Sequence, residues 1–380
     1  MKHRTPLRAA LAVAALGLVA FGGWIASLPA PPAPAAAQPV PSAQTQATLA
    51  ALAPPKRPRP LVAIVGLNDA TETTDYLMPY GILRRSGVAD VVALATEAGP
   101  VKLYPALTVE ADATLAQFDA RHTDGADYVI VPAMSRDDDP RVLAWIRTQA
   151  AKGAIVIGVC AGAKVVGAAG LLDGKRATTH WYYLDQLRER TPSIRYVADR
   201  RFVADQGVAT TTGISASMPM SLTLIEAIAG REKAEATARD LGLAHWDARH
   251  RSAAFRFTRP FALTVMGNTL AFWNREALGI ELVPGMDEVS LALVADAWSR
   301  TYRSRAVAFA QAPGPIEGRH GLRLVPDRVS VDWPAQRLLP AITAAPPAQA
   351  LNDALARIEG RYGAKTAEVV AMQLELQPSH

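Results

Sequence analysis

Four short apolar runs punctuate the first half of the chain. Leu61–Val65, Val91–Ala95, Tyr128–Val131 and Ala154–Val159 are each of strand length and rich in β-branched residues. Unbroken runs of this kind suit strands buried on both faces of a parallel sheet. Between them, helical spacing predicts helices from about Asp75 to Arg85, closed by Gly87, over Ala113–Ala120, and over Arg141–Lys152 with Val142, Trp145 and Ile146 facing inward. Strands alternating with helices mean βαβ units under an α/β architecture. The polar loops Asn68–Thr74 and Pro132–Asp139 then fall at the carboxyl edge of the sheet, where ligands bind. The three acids Asp137–Asp139 read as a solvated loop.

The second half is less regular. Ala227–Ala238 predicts a helix interrupted by Gly230, Phe255–Thr258 and Ala262–Met266 read as strands, and Val289–Tyr302 and Leu351–Tyr362 as helices. The last residues read as a tail. VVALATEAGPVK at 91–102 aligns without gaps to AVAFAQAPGPIE at 306–317, and the match continues from Leu107 to Leu322 and from Asp112 to Asp327. Residues 280–327 therefore read as a second copy of the opening β–α–β unit, with 280–283 and 306–310 as neighbouring parallel strands. His245 and His250, five apart, fall on different faces of a helix, so no metal site is read there.

Charge changes the picture only at the start. Lys2, His3, Arg4 and Arg8 precede the uncharged, mostly apolar stretch Ala9–Leu28, which is the grammar of an export signal. Ala35–Ala37 offers a cleavage site, and the apolar run is also long enough to serve uncleaved as an anchor. Residues 1–37 are thus expected to be a signal peptide or signal anchor. The rest would be periplasmic or otherwise extracytoplasmic, and residues 9–28 would tie it to the inner membrane if retained. Residues 38–60 read as an extended Pro/Ala-rich linker. The formal charge is +5, but beyond residue 37 there are 37 basic and 35 acidic residues, so no nucleic-acid partner is implied.

The candidate chemistry sits where the fourth strand ends. Cys160, the single cysteine, lies among Gly158, Ala161, Gly162 and Ala163, and helical spacing resumes with Val165 and Val166. Small residues around one reactive type suggest a tight strand-to-helix turn. A thiol on the first turn of a helix is expected to ionise below its free value, because N–H groups and the helix dipole favour the thiolate.

GVCAGA at 158–163 resembles the nucleophile elbow of the ThiJ/PfpI family, within the class I glutamine amidotransferase-like superfamily. ETTDYLMPYGILRRSG at 72–87 resembles that family's first loop and helix, and GLLDGKRATTHW at 170–181, DRRFV at 199–203 and TTTGISASMP at 210–219 resemble the version fused to AraC-type DNA-binding domains. The resemblance covers about residues 61–230. It implies a flavodoxin-like parallel sheet sandwiched by helices with a cysteine nucleophile elbow, here followed by a C-terminal α/β half-module over 231–345 and a helix and tail over 346–380. By the same resemblance Cys160 matches the nucleophile, Asp75 the acid that hydrogen-bonds its sulfur, and His180 a histidine near the thiol. Ala161 and Ala133 stand where backbone N–H groups form an oxyanion hole. Pro132-Ala133-Met134 replaces the Pro-Gly-Gly of many members, and Ala161 replaces the His of the peptidases, which argues against peptidase activity. The implied activity is cysteine-dependent hydration or hydrolysis of a small electrophilic substrate, as in isonitrile hydratases. The alternative is a ligand-binding or sensing module. No cofactor or metal is implied, the partner is a small molecule, and a homodimer stays open.

Overall fold

The computed structural model describes all residues except 1–3, 34, 343–344 and 377–380, and the side chains of 4–14 and 18 also lie outside the description. The charged side chains of the expected export signal and several side chains of its apolar stretch therefore lie outside the description. Residues Arg4–Ser27 form one helix. Among the described residues no helix is long and apolar enough to cross a membrane.

The core is a seven-stranded sheet. The buried run Leu61–Gly66 lies between Asp90–Ala95 and Tyr128–Val131, all parallel, and Ile155–Gly158 continues the sheet beside Tyr128–Val131. Val208–Thr211 adds in parallel and Phe202–Asp205 closes that edge antiparallel. Apolar side chains cover both faces, as the unbroken runs require. The fold class is α/β and flavodoxin-like. The helix Thr73–Ser86 ends with Gly87 at φ 68°, the left-handed cap that glycine adopts without strain.

The second copy is a structural repeat. Glu276–Glu281 pairs in parallel with Ser304–Ala310, Ile280 facing Ala308, and the helix Glu288–Ser299 connects them. A constant shift of 215 residues carries Leu61–Gly66 onto Glu276–Glu281 and the start of Thr73–Ser86 onto that of Glu288–Ser299. The details repeat as well. Asp112 bonds both backbone groups of Ala93 at 2.8 Å, and Asp327 bonds those of Ala308 at 2.8–2.9 Å. The copies meet about an approximate twofold: Arg323–Val325 pairs antiparallel with Thr108–Glu110, and Val109 faces its own counterpart Leu324. The two helices also pack together, so closely that a Cβ on Gly81 would lie 2.6 Å from Val289 Cγ2.

Five expectations change. Phe255–Thr258 is not a strand but irregular chain leading into the helix Arg259–Leu270. The linker carries a helix, Ser42–Ala51, because Ala, Gln and Leu are good helix formers; Leu52 beyond it is fully buried and its carbonyl accepts the Tyr128 hydroxyl at 2.7 Å. Ala262–Met266 is not a strand but part of the helix Arg259–Leu270, where Thr258 caps the first turn and Pro260 suits it. The chain after Tyr362 is not a tail but a second helix, Ala364–Gln373, whose end packs on the core through Leu374. Asp137 and Asp139 are largely buried: Lys164 and Arg190 bind Asp137 at 2.7–2.9 Å, and Asp139 caps the helix Pro140–Ala151.

Candidate active site

Cys160 sits two residues beyond the strand Ile155–Gly158 and two before the helix Gly162–Ala168. Its φ is 56°, a strained conformation for a residue with a side chain. Threonines hold it there. The Cys160 N–H donates to Thr211 Oγ1 at 3.0 Å, and Thr179 Oγ1 donates to the Cys160 carbonyl at 3.0 Å. Gly162 is required: a Cβ there would fall 1.9 Å from the Val131 carbonyl oxygen, a backbone atom that cannot turn aside. The thiol is 4 % exposed at the edge of a cavity of about 700 Å³. Tyr104, Trp181, Tyr183, Phe257 and Tyr302 give that cavity an aromatic wall.

Asp75 lies in the first turn of Thr73–Ser86, fully buried. Its Oδ2 accepts the Ala133 N–H at 3.0 Å, while Oδ1 has no hydrogen-bond partner among the described residues. Burial, and then the neighbouring Glu72 carboxylate, raise its pKa well above the usual range, which favours the protonated acid. With Oδ2 accepting an N–H, that proton belongs on Oδ1. No direct bond joins Asp75 to the sulfur; the two interact through space. The thiol is pushed well above its ordinary value by burial, then by Asp75 and Glu72, while the Ala161 N–H pulls the other way. The expected low thiol pKa is thus reversed, because desolvation outweighs one short helix end.

His180 borders the same cavity, but both ring nitrogens are engaged. Nδ1 accepts the Tyr182 N–H at 3.1 Å and Nε2 bonds the Gln373 carbonyl at 3.0 Å. Burial lowers its pKa, which fits a neutral ring capping the short helix Trp181–Tyr183. The Ala133 N–H is likewise spent on Asp75, leaving Ala161 as the backbone donor beside the sulfur.

Three residues escaped the sequence reading. Glu72 caps the helix: its carboxylate accepts the Asp75 N–H at 2.6 Å and the Thr74 hydroxyl at 2.8 Å. Arg300 Nη2 reaches Glu72 at 2.8 Å, and its Nε bonds Asp296 at 2.7–2.9 Å. Burial, then Asp296, raise the Glu72 pKa to about 7 against the pull of Arg300. Glu72 had a signal, an acid three residues before Asp75 at a helix start. Arg300 had one too, lying 215 residues after Arg85 in the repeat.

The DJ-1/PfpI family model matches residues 62–227. Isonitrile hydratase of Pseudomonas putida is 42% identical over 99 residues, covering 26% of this chain and 42% of that protein. Protein dj-1beta of Drosophila melanogaster is 26% identical over 188 residues, 48% of this chain and 97% of that protein. The HTH-type transcriptional regulator CdhR of Pseudomonas aeruginosa is 31% identical over 135 residues, 35% of this chain and 38% of the regulator. The chain thus spans less than half the length of the hydratase and of the regulator. The crystal structure of Drosophila melanogaster DJ-1beta matches with a TM-score of 0.45 and 24% identity, over 49% of this chain and 100% of that one.

Proposed function

We propose that the chain, whose residues 62–227 match the DJ-1/PfpI family model, is a cysteine-dependent hydratase for a small electrophilic carbon, with an isonitrile as the first compound to test. The observation that carries the reading is Cys160 strained at φ 56° on the cavity edge, beside a buried Asp75 whose Oδ1 has no hydrogen-bond partner among the described residues. The Cys160 sulfur would attack the terminal carbon of R–NC: the C–S bond forms, the Asp75 acid gives its proton to that carbon, and the same carboxyl takes up the proton released as the S–H bond breaks. Water then adds to the resulting thioimidate, its oxygen to carbon and one hydrogen to nitrogen; the C–S bond breaks, the remaining water proton passes through the Asp75 carboxyl to the sulfur, and R–NH–CHO leaves with the thiol and the acid restored. Two hydrogens and one oxygen are gained, and nothing is oxidised. The aromatic wall suits an apolar R group.

Incubating the purified protein with an aromatic isonitrile should yield the formamide by mass spectrometry, and Cys160→Ser should yield none. Absence of product from the wild type would defeat the reading. A second reading, a ligand-binding sensor, draws on the spent Ala133 N–H and the raised thiol pKa. It is favoured if ligands bind and no turnover follows.

We also infer that the chain is exported, from the basic residues before Ala9–Leu28. A phosphatase fused after Pro60 should be active outside the cytoplasm; activity confined to a cytoplasmic reporter at the same junction would refute export.

A further inference from the structure

Arg300 reaches the Cys160 site from outside the 62–227 domain. Its Nε and Nη2 hold Asp296 and Glu72, and the guanidinium borders the cavity that Cys160 also borders. This is not an isolated ion pair. The shift of 215 residues that relates the two copies takes Glu72 to Asp287 and Arg85 to Arg300, and Arg85 Nη2 is bound to Asp287. Two reciprocal ion pairs therefore cross one interface. Each joins the acid capping one helix to the arginine at the C-terminal end of the other. Only one of the two ends in chemistry. Ser290 stands where the second copy would carry the counterpart of Asp75, and no cysteine follows that copy.

We propose that the second copy supplies the Cys160 site with a positioning residue, Arg300, which fixes Glu72 and through it the first helical turn that carries Asp75. The proposal rests on the reading of Cys160 as the reactive group. Glu72 is faced by Asp75 and Thr74 on its own element, by Asp296 and Arg300 from the second copy, and by Cys160 from the elbow. Burial and then the Asp296 carboxylate favour protonation of Glu72, and Arg300 is the cation that opposes them. Without the guanidinium, Glu72 becomes an uncompensated buried acid and takes up a proton. It then loses strength as the acceptor of the Asp75 N–H. Docked from within the chain, the second copy also covers the helix Thr73–Ser86.

The test is alkylation of Cys160 by iodoacetamide in the full-length protein across pH, read by intact mass. The wild-type rate profile should carry an inflection near pH 7, the value to which Glu72 is raised, and Glu72→Gln should lose it. Arg300→Met should move that inflection up by at least about one pH unit, the effect of an opposite charge in contact. It should also lower formamide turnover more than about tenfold with little change in KM. Arg300→Lys keeps the charge but cannot hold both carboxylates in the fork geometry of a guanidinium, so it should move the inflection less far. An inflection unchanged in both variants overturns the proposal. If Arg300→Met does not fold, the lysine variant decides alone, a wild-type inflection overturning the proposal and a raised one supporting it. If the wild type turns over no isonitrile, the function reading fails on its own while the inflection still decides this one.

Discussion

Asp75→Asn should abolish formamide production while leaving the protein at least as stable as the wild type. The loss should reach about 10²–10⁴-fold, the range for removing a positioned general acid. Asparagine keeps an oxygen to accept the Ala133 N–H, and an amide in place of the unpartnered Oδ1, so the fold is retained. What disappears is the exchangeable proton. The stability arm has a definite sign. The folded-state pKa of Asp75 is raised above the unfolded value, so its contribution is fully present below that unfolded value of about 3.9 and is lost as pH rises toward the folded one. Asparagine has no such dependence. Its stability relative to wild type should therefore grow with pH from about 4 upward, by at most about 1.4 kcal/mol per unit. Urea unfolding at pH 5 and pH 8 measures this directly. A variant that retains turnover removes Asp75 from the mechanism. Equal relative stability at pH 5 and pH 8 would show that the carboxyl is ionised in the fold.

Gly162→Ala is the second large effect. The added Cβ would meet the Val131 carbonyl oxygen at 1.9 Å and Pro132 backbone atoms at 2.9 Å. These atoms end the strand beside the elbow and cannot rotate away. Overpacking of this kind costs about 3 kcal/mol or more, which lowers a melting temperature by roughly 6 °C or more in a domain of this size. Turnover should fall with it, because Cys160 is two residues away. Gly267→Ala is the control. Nothing lies within 4 Å of its Cβ, in a helix. Exchanging Gly for Ala at such a site stabilises by up to about 1 kcal/mol. Equal melting temperatures for Gly162→Ala and wild type would mean that the elbow is looser than its contacts indicate.

Much of this was legible along the chain. The four buried strands follow from unbroken β-branched runs, and the left-handed cap at Gly87 from a glycine after a helical pattern. Cys160 stands out because small residues surround a single thiol, and the repeat because residues 91–112 align without gaps to 306–327. These signals are local, or are comparisons of one segment with another, and a linear chain displays both. Misreadings arose where local preference yielded to context. Val265 and Thr264 suggested a strand, yet a capped first turn at Thr258 and Pro260 makes a helix.

The sequence by itself determined the α/β framework, the strained turn that carries the thiol, and the helix that carries Asp75. Only the tertiary structure decided the electrostatics of the site. Glu72 and Arg300 are 228 residues apart and meet because two copies of one unit dock about an approximate twofold. Burial then raises Asp75, Glu72 and Cys160 together, against the helix end that the sequence displays. The helix Ala364–Gln373 borders the cavity, with Gln373 bound to His180 and to the Arg300 carbonyl. Desolvation and long-range pairing depend on what the rest of the fold brings to a residue, and no spacing along the chain records that.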